Sequence, residues 1–378
     1  MSLTDDIKDY ALDLGYFAVG VTTADPFPEY AKELETRYEM YRWAIDTGYR
    51  IGRCVDPKNF LPNAKSIVVT VYDYAQQGFP PELVGKIGRM YLSRSFLPPS
   101  GHIGRVRVQL MHEFLEKNGC SVGPRRGVIS GVPERAAATR AGLTWVGNNT
   151  FAIASGPGSF IILNSFIVDV DLEYDSPHKT KGCPADCRRC IEACPTGAIF
   201  EKGKIDPRRC VSFLNFGTTQ PDTCYIPTEL REKIGTSIHG CDLCQEACEH
   251  NQARLKATLP VDPYLAKKAR EFDLNKMLNA TDGYVANVLS PILHRYIGQK
   301  SLLQRNAAIA LGNMGNADAI PHLASALDDP EEVVRGHAAW ALGRIGGKRA
   351  KDILELRLIG ETGPRARQEI IDAMNRCR

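Results

Sequence analysis

Cys183-Pro184-Ala185-Asp186-Cys187-Arg188-Arg189-Cys190-Ile191-Glu192-Ala193-Cys194-Pro195 sets four cysteines into twelve residues and closes on Cys-Pro. A second set follows as Cys210, a long gap, then Cys241-x2-Cys244-x3-Cys248. In a bacterial ferredoxin run, three closely spaced thiolates hold one cubane and the cysteine before the proline reaches across to the other. Carried onto this chain, the crossing puts Cys183, Cys187, Cys190 and Cys248 on one cluster and Cys194, Cys210, Cys241 and Cys244 on a second. Tight spacing suits that chemistry, because a short loop also turns backbone N–H groups toward the negative cubane. The expected task of such a segment is electron transfer at low potential.

Zinc and disulfides are the competing readings. Paired C-x2-C elements also make zinc sites, but a C-x2-C-x3-C run repeated in near-mirror form is a ferredoxin pattern. Disulfide staples belong to short secreted chains, whereas this chain is long, opens without a signal-like segment and concentrates its cysteines in one place. Cys54, Cys120, Cys224 and Cys377 fall outside the pattern and read as ordinary thiols; Cys224 is near enough to complicate the assignment. Two details depart from the usual run: three residues separate Cys183 from Cys187, and Glu249 rather than proline follows Cys248. Neither removes a ligand.

The 378 residues are enough for two or three domains with real cores, and 43% apolar with 24% charged residues is the balance of a soluble globular protein. A net charge of +3 leaves partners open, since a local basic face decides nucleic-acid binding. No apolar run is long enough to span a membrane and the N-terminus is polar and acidic, so a cytoplasmic protein is expected.

Three stretches organise the rest. Thr4-Asp5-Asp6 reads as a helix start and Gly15 as its stop, followed by a strand from Phe17 to Val21. Residues 66–72 are dense in β-branched side chains, residues 106–118 are helical in period, and residues 160–168 read as a strand or hairpin. Residues 1–175 are therefore expected to form an α/β or α+β domain. Residues 176–251 are the loop-rich cysteine segment. In residues 252–378, Asn306-Ala307-Ala308-Ile309-Ala310-Leu311-Gly312-Asn313-Met314-Gly315 recurs as His337-Ala338-Ala339-Trp340-Ala341-Leu342-Gly343-Arg344-Ile345-Gly346, 31 positions later. That spacing reads as a HEAT-like helical repeat, with a small helical cap as the alternative. Arg365, Arg367, Arg376 and Arg378 make the end basic.

Several stretches, taken in order, resemble one family. They are Arg53-Cys54-Val55-Asp56-Pro57, Leu61-Pro62-Asn63-Ala64-Lys65-Ser66-Ile67, Glu134-Arg135-Ala136, Arg140-Ala141-Gly142-Leu143-Thr144-Trp145-Val146-Gly147-Asn148-Asn149-Thr150, Gly240-Cys241-Asp242-Leu243-Cys244-Gln245-Glu246-Ala247-Cys248 and the repeat tail. The chain resembles the epoxyqueuosine reductases over nearly its whole length. That resemblance implies an α+β architecture: a nitroreductase-like, cobalamin-binding N-terminal domain akin to that of reductive dehalogenases, a two-cluster segment and a HEAT-like tail. It implies cobalamin beside two 4Fe-4S clusters, removal of the epoxide oxygen of a modified tRNA nucleoside, an external low-potential electron donor and a monomer. By resemblance, Ala141, Gly142, Gly147 and Asn149 face the corrin.

The departures gather at the substrate end. The family's Val-Asp-Thr-Gly stretch, whose aspartate is thought to protonate the opening epoxide, corresponds to Val128-Ile129-Ser130-Gly131. Asn148 stands where members carry lysine and Thr144 where they carry glycine, and Tyr91-Leu92-Ser93-Arg94-Ser95-Phe96-Leu97-Pro98-Pro99 replaces a Tyr-Ala-x-Gly-x-Asp-Tyr-His stretch. The catalytic acid is therefore unassigned. Glu134, Tyr72, Tyr74 and Tyr91 are the candidates, each with a plainer role as an ion-pair partner or packed aromatic. Three functions follow: the family reaction with a substitute acid, a paralogue reducing another small, halogenated or epoxide substrate, or an iron–sulfur protein reducing a corrinoid partner.

Overall fold

Ser2, not Thr4, caps the first helix, and it does so because its hydroxyl accepts the Asp5 N–H while the Asp5 carboxylate accepts the Ser2 N–H. The sequence signal was displaced by two residues: Thr4 is buried and its hydroxyl accepts the Glu173 N–H instead. This computed structural model describes residues 2–45, 51–92, 103–124, 131–177, 182–217, 224–293 and 299–377. Val128-Ile129-Ser130 and residues 93–99, where the sequence departs most from the family it resembles, lie outside them.

The N-terminal part is a three-stranded antiparallel sheet between helices. Strand β1 (Ala18–Thr23) pairs with β2 (Ser66–Asp73), and β2 pairs with a long strand further along the chain, Ile161–Val168. The registers Ala18↔Val71 and Ser66↔Val168 put β2 in the centre, which explains its β-branched run with both faces covered. Ile67, Val69 and Val71 face helix Glu134–Arg140, while Val68 faces helices Leu3–Asp13 and Ile103–Lys117 through Ile7, Met111 and Leu115. A two-stranded hairpin, β3 (Trp145–Val146) with β4 (Ala152–Ile153), leaves this sheet and carries residues 147–151 at its tip toward the cysteine segment.

One hydrophobic core joins the cysteine segment to the tail. Val211, Leu214, Ile226, Leu230, Ile234 and Ile238 pack with the long helices Lys300–Met314 and Glu332–Ile345. The repeated sequence forms those two helices, and a third, Pro364–Arg376, packs on the second. Their glycines permit the approach: a Cβ on Gly343 would lie 2.6 Å from the Ala373 Cα. Polar clamps fasten the same contact. The buried Arg305 guanidinium donates to the carbonyls of Leu214, Asn215 and Cys224, and Asn306 donates to those of Asn215 and Ile238. Although the cysteine segment reads as loop organised by its clusters, its second half is organised by this core as well.

Candidate functional site

The eight patterned thiols fall into two groups in space. Cys183, Cys187, Cys190 and Cys248 ring one small hollow, and Cys194, Cys210, Cys241 and Cys244 ring another that opens into a chamber of about 340 Å³. Short helices produce this: Arg189–Glu192 and Leu243–Glu246 each present a C-x2-C-x3-C run around one turn, so the last cysteine of each run points to the other hollow. Cys224 belongs to neither group and contributes its carbonyl to the Arg305 clamp.

The electrostatics of the two hollows differ. Burial, then the neighbouring Cys183, Cys187 and Cys248, pushes the Cys190 thiol up to about 11. In the second group burial pushes Cys241 up to about 12 and Cys244 well above the ordinary thiol value. Cys194 goes the other way: burial raises it, but the N–H groups of Ile199 and Ala198 and the Thr196 hydroxyl outweigh that and favour the thiolate. Burial raises Cys190 and Cys248 around the first hollow and Cys210, Cys241 and Cys244 around the second, and thiols so placed become thiolates together only when a cationic centre compensates them. The first group lies beside exposed Pro184, Ala185 and Asp186; the second faces Arg135, Asn149, Thr150 and Phe151 of the N-terminal domain.

Polar contacts lock these loops to the N-terminal domain. The Asn148 N–H points at the Cys183 Sγ at 3.4 Å and its amide donates to the Cys187 carbonyl at 3.0 Å. Asn149, buried, donates to the Cys244 carbonyl. Ser159, Gln245 and Asn251 form a buried network, and Gly158 at φ +69° exists for it: a Cβ there would sit 2.0 Å from the Asn251 Oδ1. Arg89 pairs with Asp242 and Glu246 behind the second group. Asn149 was singled out from the sequence for the corrin and Asn148 as a departure from the family, neither for these loops, and Arg89, Gly158, Ser159, Gln245 and Asn251 were not singled out at all, because their partners lie far along the chain.

Arg135 lines the chamber beside the second group. It lies deep in the fold yet keeps exposed surface, burial depresses its pKa, and its guanidinium donates to the Thr150 carbonyl. Tyr30 and Tyr41 lie close enough to influence its charge; burial pushes Tyr30 up to about 12, and the Tyr41 hydroxyl donates to the Ile205 carbonyl, bridging the domains. Of the four residues expected to face a corrin, Asn149 lines the chamber. Gly147 is buried against Ile153, and Ala141 with Gly142 ends the helix Glu134–Arg140, Ala141 packed in the core under β1. Tyr91 reaches the chamber and pairs its hydroxyl with Ser212 at 3.0 Å. Tyr72 and Tyr74 line a separate cavity of about 510 Å³, and Glu134 sits in the first turn of its helix, where a carboxylate is favoured.

Residues 183–251 match the 4Fe-4S double cluster binding domain and residues 287–375 match HEAT repeats. The chain is 33% identical to the epoxyqueuosine reductase of Staphylococcus aureus, over 93% of this chain and 91% of that one. The chain belongs to the epoxyqueuosine reductase family. The Escherichia coli epoxyqueuosine reductase is 31% identical over 94% of this chain and 93% of its own. Among solved epoxyqueuosine reductases, a selenomethionine-labelled one superposes with a TM-score of 0.85 at 28% identity, covering 100% of this chain and 99% of that one. Another, crystallised with an epoxyqueuosine-modified tRNA stem loop, gives 0.83 at 27% identity over 99% and 98%. Epoxyqueuosine reductases are oxidoreductases, and this member combines helix and sheet with an iron–sulfur segment and a HEAT-repeat tail. Among the described residues no helix is long and apolar enough to cross a membrane.

Proposed function

We propose that this chain is a cobalamin-dependent reductase that takes electrons through two 4Fe-4S clusters and reduces epoxyqueuosine in tRNA to queuosine, in the cytoplasm. One observation carries the reading: two four-thiol rings formed by crossed ligands, one near the surface and the other opening into a chamber walled by the sheet domain. Cys183, Cys187, Cys190 and Cys248 hold the outer cluster; Cys194, Cys210, Cys241 and Cys244 hold the inner. The donor set fits, because each ring supplies four thiols and N–H groups already aim at Cys183 and Cys194.

The chamber fits one face of a large flat cofactor. Met90, Phe151, Pro195, Ile205 and Val211 give it an apolar wall, and Arg135 supplies a cation for an anionic tail. Cobalamin bound there supplies the metal-centred chemistry that side chains lack. This chain's own residues hold the rest: Asn149 and Thr150 form the wall over the inner thiols, Tyr41 closes the domain interface on Ile205, and Tyr91 is the hydroxyl placed to deliver a proton in the absence of an aligned aspartate. The basic end of the HEAT tail is where tRNA phosphates would bind, with affinity falling as salt rises.

The test is turnover. Anaerobically purified protein loaded with iron and cobalt, incubated with a strong reductant and epoxyqueuosine-containing tRNA, should yield queuosine in the digested nucleosides by mass spectrometry. Absence of product from fully loaded protein overturns the substrate and leaves a reductase of another small molecule. That second reading is favoured by the changes at residues 128–130 and 91–99. Asn148 no longer counts toward it, since its amide serves the outer thiol loop.

A further inference from the structure

Among the described residues, Asn149 alone lines both hollows. Its side chain is 2% exposed and fixed at both ends: Oδ1 accepts the Phe151 N–H at 3.2 Å, and Nδ2 donates to the Cys244 carbonyl at 3.4 Å. The backbone around it is built to hold that pose. A Cβ on Gly147 would lie 2.9 Å from the Asn149 Oδ1 and 2.6 Å from the Ile153 Cδ1. Thr150 takes φ +68°, a left-handed conformation that a β-branched residue rarely adopts, and its carbonyl is held by Arg135 from the chamber wall. Asn148, one residue earlier, lines the outer hollow and not the chamber: it bonds to Cys183 and Cys187, and its carbonyl accepts the Gly203 N–H.

We infer that Asn149 is a positioning residue for electron passage from the outer to the inner cluster: it ties the spacing of the two thiol rings and keeps an uncharged dipole between two anionic centres. This rests on the two-cluster reading above. In the step it serves, the outer cluster, reduced by an external low-potential one-electron donor, loses one electron and the inner gains it; no bond forms and no proton moves. An amide suits the position because each cluster becomes more negative on reduction, and a carboxylate in so dry a place would oppose both. Replacing the side chain by a methyl group would remove the tie to the Cys244 loop and leave its carbonyl unpaired.

The experiment is a dithionite-poised redox titration of holoenzyme followed by electron paramagnetic resonance, on wild type, Asn149→Asp, Asn148→Asp and Asn149→Ala. Wild type comes first: about eight iron atoms per chain and two reducible clusters are the premise, and their absence would defeat the cluster reading itself rather than the role of Asn149. With the premise met, Asn149→Asp should make both clusters harder to reduce by about tenfold in the equilibrium constant, ~59 mV for a one-electron couple. Asn148→Asp should do so for one cluster only. Asn149→Ala should keep both potentials nearer wild type but slow inner-cluster reduction in rapid-freeze samples by about tenfold or more. A shift of one cluster or none in Asn149→Asp, or of both in Asn148→Asp, overturns the inference. So does loss of iron from both Asn149 variants, which would make the residue a brace of the fold.

Discussion

The two thiol rings have almost mirror-image spacing in the sequence and unlike surroundings in the fold. The outer ring borders an exposed loop, Pro184 to Asp186, and is touched from the sheet domain by Asn148. The inner ring is enclosed: Asn149 and Thr150 wall it on one side, and the segments carrying Cys210 and Cys241 are fastened to the tail by Arg305 and Asn306. Equal ligand chemistry thus gives unequal roles. On the proposed reading, a cluster that accepts electrons from outside needs an accessible edge, whereas one that passes them to a chamber needs walls, and the tail acts on those walls by fastening the segments that carry Cys210 and Cys241.

The largest expected effect tests whether both rings are needed. Cys190→Ala and Cys244→Ala should each reduce turnover to the background of cofactor-free protein. They should differ in what survives: Cys244→Ala should keep the magnetic signal of the outer cluster, and Cys190→Ala that of the inner. Full activity in Cys190→Ala would break the assignment of the outer ring.

Next comes the dependence of the inner ring on the tail. Arg305→Ala removes a fully buried guanidinium and takes a donor from each of the carbonyls of Leu214, Asn215 and Cys224, a loss of ~3–5 kcal/mol. In a chelator challenge this variant should release inner-cluster iron before outer. Equal release from both would mean that the tail is a passive cap.

Acid should act through the same contact. His337, fully buried, accepts the Ile226 N–H at Nε2 and reaches the Val333 carbonyl through Nδ1, so it is held neutral; burial, then Arg231 and Arg305, lowers its pKa well below the ordinary histidine value of 6.5. Protons then bind the unfolded chain more readily than the folded one, and the stability His337 contributes is present above pH 6.5 and lost as pH falls below it, by up to ~1.4 kcal/mol per pH unit. Thermal melts between pH 7.5 and 5.5 should show this, and His337→Gln should flatten it. An unchanged slope in that variant would assign the acid response elsewhere.

What the sequence made legible were the features that depend on local spacing. Cysteine intervals anticipated which thiols would meet, and the 31-residue recurrence anticipated two packed helices ending at Gly315 and Gly346. The central strand was legible because both its faces are buried. Long-range polar partnerships were not: Arg305, Asn306 and His337 look like arbitrary polar interruptions of alanine-rich helices until the backbone groups they serve, carbonyls for the first two and the Ile226 N–H for His337, some 70 to 110 residues away, are in place. Asn148 and Asn149 were associated with the corrin by resemblance, and only the folded hairpin brings them between the cysteine loops.

The smallest prediction concerns the part of the molecule farthest in character from the rings. Ser2→Ala deletes one half of the capping box and should cost ~1 kcal/mol, because the Asp5 N–H at a helix start can turn to water. Thr4→Val keeps the shape but strands the Glu173 N–H, and that donor lies against a buried side chain, so the cost should be ~1–3 kcal/mol. The order of the two separates the cap that the sequence suggested from the cap that the fold uses: were Thr4 the cap, its deletion and not that of Ser2 would fray the first turn in hydrogen exchange. Both variants should retain full iron at both rings, since neither touches the hairpin tip or the tail core. Iron loss in either would mean that the sheet domain's first helix helps to hold the clusters, and the contrast between an outer ring braced by the hairpin and an inner ring braced by the tail would have to include it.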